Sequence, residues 1–156
     1  ILSHPVFREQ FALLQEAEKD RIFCRHTMEH FLDVARLMYI YNLEDQAGFS
    51  KEMIYAAGLL HDIGRYEQME KGTPHHLAGA RLAERILTDC DFSLTEQKSI
   101  RRQRQMCIRD RKDTAETPLF SRYLYRADKQ SRNCLYCPAR NACNWPKEKM
   151  NLTICY

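Results

Sequence analysis

Histidines and aspartates gather in this chain in places where helical sequence would point them the same way. His26 and His30 are four residues apart, hence on one face of any helix that spans both. His61 and Asp62 are adjacent at the end of the apolar run Ala56-Ala57-Gly58-Leu59-Leu60, with Gly64 close behind. His75 and His76 stand in the first turn of another helical stretch, and Asp128 closes one built from Tyr and Leu. Imidazole nitrogen combined with carboxylate oxygen suits a divalent transition metal such as Mn, Fe, Co, Ni or Zn. Such a metal lowers the pKa of a bound water toward neutrality and clamps phosphate oxygens. A single histidine on an apolar helix is usually a core residue, so the weight rests on the joint pattern.

A softer ligand set lies near the C-terminus. Cys134-x-x-Cys137 followed by Cys143 supplies three thiols whose spacing suits a structural zinc, and thiolates can also hold an iron–sulfur cluster. A tetrahedral zinc would need a fourth ligand, with Cys155, Cys107, Cys90 or a histidine as candidates. The alternative is three reduced thiols in a packed loop. Seven cysteines, an odd number, fit reduced thiols or metal ligation better than a secreted disulfide framework, so a cytoplasmic location is expected. Arg101, Arg102, Arg104, Arg109, Arg111 and Lys112 form a basic run. It reads either as a solvated helix face or as an electropositive rim that draws in a phosphorylated small molecule. No aromatic residues interleave with it, so nucleic acid is a poor fit as partner.

These residues need a scaffold, and the chain reads as helices. At 156 residues it has the length of one domain, and 44% hydrophobic with 29% charged residues excludes wholesale disorder. The net charge of +3 is too small to imply a nucleic-acid protein, and no apolar run is long enough to span a bilayer. The first helix is expected from Ser3 and Pro5 to about Asp20, the second from about Ile22 to Tyr41, and a third after Ser50. Thr73-Pro74 reads as cap and first-turn proline of a helix to about Thr88, and Ser93 with Glu96 as a capping box. A last helix is expected from about Ala115 to Gln130. The expected architecture is all-α: a helical domain over residues 1–132, with a Cys-rich appendage over 133–156 docked on it by Trp145 and Tyr136.

Three segments together resemble one family. Ala56-Ala57-Gly58-Leu59-Leu60-His61-Asp62-Ile63-Gly64-Arg65 is similar to the signature helix of the HD-domain metal-dependent phosphohydrolase superfamily. His30-Phe31-Leu32-Asp33-Val34-Ala35 resembles the segment of its first histidine, and Arg126-Ala127-Asp128-Lys129 that of its closing aspartate. The resemblance implies that His30, His61, Asp62 and Asp128 hold one metal within a bundle of five or more helices. It selects His30 over His26, a choice the spacing alone leaves open.

Two-metal members of the superfamily add histidines, one at a helix start similar to His75-His76-Leu77-Ala78-Gly79-Ala80, which makes His75 and His76 candidates for a second metal. The place of a further histidine is held by Arg111, and a guanidinium cannot ligate a metal. Either the second site is depleted or Met106 to Arg111 is not native sequence. Arg65 falls where the family often has a cation, which would stabilise charge on transferred oxygens; the bland alternative is a helix-capping arginine. Lys129 and Arg132 are further candidates for substrate phosphate.

The implied function is metal-dependent hydrolysis of a nucleotide or other small phosphate ester, with Asp62 able to share a proton with the attacking water. The alternatives are a dinucleoside polyphosphate hydrolase and a non-catalytic nucleotide-binding or regulatory module.

Overall fold

The computed structural model describes residues 1–109 and 117–153, without the side chains of 102–109. Arg111 and Lys112, the thiols of Cys107 and Cys155, and the basic side chains of 102–109 lie outside the described residues. Within those residues the chain is all helical. Its α-helices are α1 (Pro5–Ala17), α2 (Met28–Glu44), α3 (Lys51–Leu60), α4 (Arg65–Lys71), α5 (His75–Asp89), α6 (Leu94–Arg109) and α7 (Leu119–Gln130). Single 3-10 turns follow at Arg140–Ala142 and Lys147–Lys149.

Side-chain caps begin most of these helices, because the first backbone N–H groups of a helix have no partner inside it. The Thr27 hydroxyl accepts from His30 N at 3.4 Å, and the Ser50 hydroxyl accepts from Met53 N at 3.2 Å. Ser93 and Glu96 form the expected reciprocal box, with Ser93 N donating to Glu96 Oε2 at 3.0 Å and Glu96 N donating to Ser93 Oγ at 3.3 Å. At α1 the cap is His4 rather than Ser3; its Nδ1 accepts from Val6 N at 3.2 Å. Thr73 caps nothing either, since Pro74 occupies the cap position of α5.

The second helix departs most from expectation. It begins at Met28, not near Ile22, and α1 ends at Ala17 rather than Asp20. The buried Glu18 carboxylate accepts from His26 N at 2.7 Å, Arg21 donates to it at 2.9 Å, and Cys24 takes a left-handed φ of +35°. The segment between the helices is thereby wrapped around a carboxylate and leaves Ile22 66% exposed. His26 therefore precedes α2, and His26 and His30 do not share a helical face.

Helix α3 is the centre of the fold. All of its residues from Met53 to Leu60 except Tyr55 are buried. It packs against α2 and α6, and α2 in turn packs against α7. Phe7, Phe31, Met38, Ile54, Leu60, Ile86 and Ile100 are fully enclosed in the same cluster. Two glycines set the close approaches. A Cβ on Gly58 would stand 2.7 Å from the Ala35 side chain, so α2 and α3 cross nearly backbone to backbone. A Cβ on Gly64 would collide with the carbonyl of His75 and the amide of Gly79, which seats the turn after Asp62 against the start of α5.

The segment after Arg132 is fastened to α7. Asn151 Nδ2 donates to Lys129 O at 2.7 Å and Arg132 O at 2.9 Å, satisfying carbonyls at the helix end. Trp145 packs under the cations of Lys129 and Arg132, with ring-centre distances of 5.9 and 4.5 Å. Tyr136, the other expected anchor, is 80% exposed and does not dock.

Candidate metal centre

Four elements deliver one ligand each to a common point. His30 sits in the first turn of α2, His61 is the residue that ends α3, Asp62 follows it in the turn, and Asp128 lies in the last turn of α7. One ligand atom from each lies within 4.8 Å of the others. Among the described residues this is the one such group of three or more His, Cys, Asp or Glu side chains.

Hydrogen bonds on the far sides of the rings decide what they present to one another. His61 Nδ1 is 2.6 Å from Gly58 O, and a carbonyl only accepts, so Nδ1 carries the hydrogen. Ser131 Oγ donates to Asp128 O at 3.1 Å, which leaves it to accept from His30 Nδ1 at 3.2 Å. With its hydrogen at Nδ1, each ring turns a bare Nε2 inward, and the two Nε2 atoms are 3.2 Å apart. Asp62 Oδ2 is 3.4 Å from His61 Nε2, and Asp128 Oδ1 is 3.6 Å from His30 Nε2. Four acceptors face one point, an arrangement that repels itself unless a proton or a cation lies between them. Two imidazoles and two carboxylates form a donor set that fits a divalent transition metal.

The electrostatics agree. Burial pushes the His30 imidazole down to about 3 against the pull of Asp128 and Asp62, so it is neutral and able to ligate. Burial opposes ionisation of Asp62, but the hydrogen bond from His26 and the Arg65 guanidinium act against it, and the carboxyl is held well below its ordinary range. Burial and the neighbouring Asp62 likewise raise Asp128, while the cations of Lys129 and Arg132 pull it down, and the carboxyl lies below its ordinary range. Both carboxylates are thus kept charged.

Around this point opens a cavity of about 660 Å³. His61, Asp62 and Asp128 form part of its wall, with Arg65, Lys129, His75 and His76. Arg65 Nε donates to Asp62 Oδ1 at 2.9 Å, and Lys129 Nζ donates to Asp128 Oδ2 at 2.6 Å. Arg132 lies behind the wall, 3.4 Å from Asp128 Oδ1 and stacked on Trp145. His75 and His76 stand edge to face with ring centres 6.1 Å apart, and neither belongs to the four-residue group. Cys134 and Cys137 share a turn, with Cys137 N donating to Cys134 O at 3.3 Å, but with Cys143 they form no ligand group among the described residues.

Several wall residues escape sequence reasoning. Tyr125, Trp145 and Lys149 line the cavity. Ser131 orients His30, and its position three residues after Asp128 is a signal visible only once α7 is known to end there. Glu18 and His26 back Asp62, and no spacing distinguishes Glu18 from the other acids.

The sequence model of the HD domain matches residues 27–133. An uncharacterized protein of Clostridium beijerinckii is 43% identical over 139 residues, covering 89% of this chain and 85% of that protein. The crystal structure of a predicted HD superfamily hydrolase from an uncultured Thermotogales bacterium superposes with a TM-score of 0.62. At 20% identity it covers 95% of this chain and 83% of the other, and shares the fold. The chain belongs to the HD-domain family, the metal-dependent hydrolase superfamily that its histidine and aspartate segments resemble.

Proposed function

We propose that the protein is a metal-dependent phosphohydrolase acting on a nucleotide or another small phosphate ester. The observation that carries this reading is the pair of bare Nε2 atoms of His30 and His61, 3.2 Å apart, with two ionised carboxylates beside them. His30, His61, Asp62 and Asp128 hold one ion of Mn, Fe, Co, Ni or Zn. When bound, the metal supplies an acidified water and neutralises phosphate oxygens. Asp62, whose carboxylate is turned toward the histidines, shares a proton with the attacking water. Arg65 and Lys129 line the cavity as cations and bind the charge of the phosphoryl group.

The wall supports a substrate larger than phosphate alone. Tyr125 and Trp145 offer aromatic surface, and Lys149 adds a further cation. A planar base against these rings with its phosphate toward the metal uses both kinds of lining. A second metal is favoured by one detail: His76 Nδ1 is buried without a hydrogen-bond partner next to His75 on the same wall. The odd cysteine count, seven, fits reduced thiols better than a disulfide framework and supports a cytoplasmic setting. Among the described residues no helix is long and apolar enough to cross a membrane.

Elemental analysis of the purified protein, followed by a screen of phosphate esters with each metal, tests the reading. Bound transition metal and metal-dependent phosphate release are expected. Metal binding with no turnover on any ester would favour a non-catalytic nucleotide-binding module instead.

A further inference from the structure

Behind Asp62 lies a second buried acid–histidine pair that precedes the matched residues 27–133. Glu18 is 1% exposed and His26 is 5% exposed. One carboxylate grips both the backbone and the ring of this histidine. Glu18 Oε2 accepts from His26 N at 2.7 Å, and Glu18 Oε1 is 2.7 Å from His26 Nδ1. The far nitrogen of the same ring, Nε2, is 3.2 Å from Asp62 Oδ2. Both ring nitrogens therefore face carboxylate oxygens, which accept only, and each nitrogen donates. Arg65 meanwhile holds the other oxygen of Asp62 at 2.9 Å. The Asp62 carboxylate is fastened at both oxygens, and packing alone would not require this. An apolar pair would fill the same space without burying two charges.

We propose that Glu18 and His26 are positioning residues of the metal centre: Glu18 fixes the His26 ring, and His26 aims Asp62 Oδ2 at the point between His30 and His61. The inference rests on the reading that those four residues bind a metal. It also assigns His26 a place outside the ligand set, although its spacing from His30 suits a chelating pair. Groups that orient a metal ligand through a hydrogen bond typically change metal affinity by about 10–100-fold when removed.

The test is a calorimetric Mn²⁺ titration of the full chain as wild type, Glu18→Gln, His26→Ala and His26→Gln, with folding checked by circular dichroism. Glu18→Gln and His26→Ala are expected to bind Mn²⁺ about 10–100-fold more weakly. His26→Gln, which keeps an N–H donor at similar reach, should recover part of the loss, an outcome that a purely structural role would not give. The visible spectrum of the Co²⁺ form should keep its ligand number in His26→Ala. Folded variants that bind Mn²⁺ like the wild type, or a Co²⁺ spectrum that loses a ligand in His26→Ala, would overturn the assignment. A wild type that binds no divalent ion would instead remove the metal-centre reading itself, and the wild-type arm alone reveals that.

Discussion

Gly58 of α3 faces Ala35 of α2 so closely that a methyl group on Gly58 would stand 2.8 Å from the Ala35 Cα. His30 lies five residues before this contact and His61 three residues after it, so the crossing sets how near the two rings come. Helix propensity alone would make Gly58→Ala stabilising by about 1 kcal/mol. Here the added methyl meets backbone, and overpacking of this kind costs about 1–3 kcal/mol. Gly58→Ala is therefore expected to lower stability in urea unfolding and to weaken metal binding, and Ala35→Gly should restore part of both. A Gly58→Ala protein more stable than wild type would contradict this account.

The bare Nε2 atoms give the metal a direct effect on stability. A ligand that binds only the folded state at about 100 times its Kd adds about 2.7 kcal/mol. Mn²⁺ or Zn²⁺ should raise the melting temperature of the wild type in a thermal-shift assay. Asp62→Ala and His61→Ala should fold, ignore the metal and lose turnover. Near wild-type turnover in either variant would remove the mechanism.

Glu18 makes the fold sensitive to acid. Burial raises its carboxyl, but the hydrogen bonds and charge of His26, with the charge of Arg21, lower it further, so the folded pKa lies below the ordinary 4.5. A depressed carboxyl contributes stability that is full above the unfolded pKa and is lost as pH falls through the folded one. Stability should thus be insensitive to this group at neutral pH and decline below about pH 4.5. Glu18→Gln should be less stable at pH 7 and show a flatter acid limb in chemical unfolding at graded pH. An acid limb identical to wild type would show that the pair does not couple to folding.

Cys134, Cys137 and Cys143 are proposed to support structure rather than to take part in catalysis. Among its described residues the segment has two short 3-10 turns of its own, and the binding free energy of a metal held in such a piece would also be folding free energy. Cys137→Ser should lower thermal stability or loosen the tail, leaving the metal at the histidines in place by elemental analysis. Unchanged stability and unchanged zinc and iron content would mark these residues as ordinary thiols.

Helix identity was legible where a cap and an apolar stripe coincide, as at Ser50 and at Ser93 with Glu96. Helix α4 escaped because Arg65–Lys71 buries no residue and so has no apolar stripe. The start of α2 escaped because it depends on Glu18 capturing His26 from eight residues away, a contact that no local pattern encodes. The same capture settles which histidine meets His61, a point the spacing of His26 and His30 leaves open. His61, Asp62 and Asp128 were legible as a set through the family resemblance. The aromatic side of the cavity was not, because Trp145 arrives from an irregular segment and is held by cations rather than by helical periodicity.

Trp145 gives that aromatic side a sharp test. Its ring lines the cavity while Arg132 packs 4.5 Å from its centre, so the residue both shapes the wall and braces a partner of Asp128. Stacking of a base on an aromatic side chain is worth about 1–3 kcal/mol. Trp145→Ala should then raise KM for a nucleotide by roughly 5–150-fold with kcat little changed, and Trp145→Phe should retain most of the affinity. A phosphate ester without a ring, such as glycerol phosphate, separates the two roles of Trp145. If the ring serves the base, KM for glycerol phosphate stays near wild type in Trp145→Ala. If KM rises or kcat falls equally for both substrates, Trp145 acts through Arg132 and Asp128, and the base-stacking role is lost.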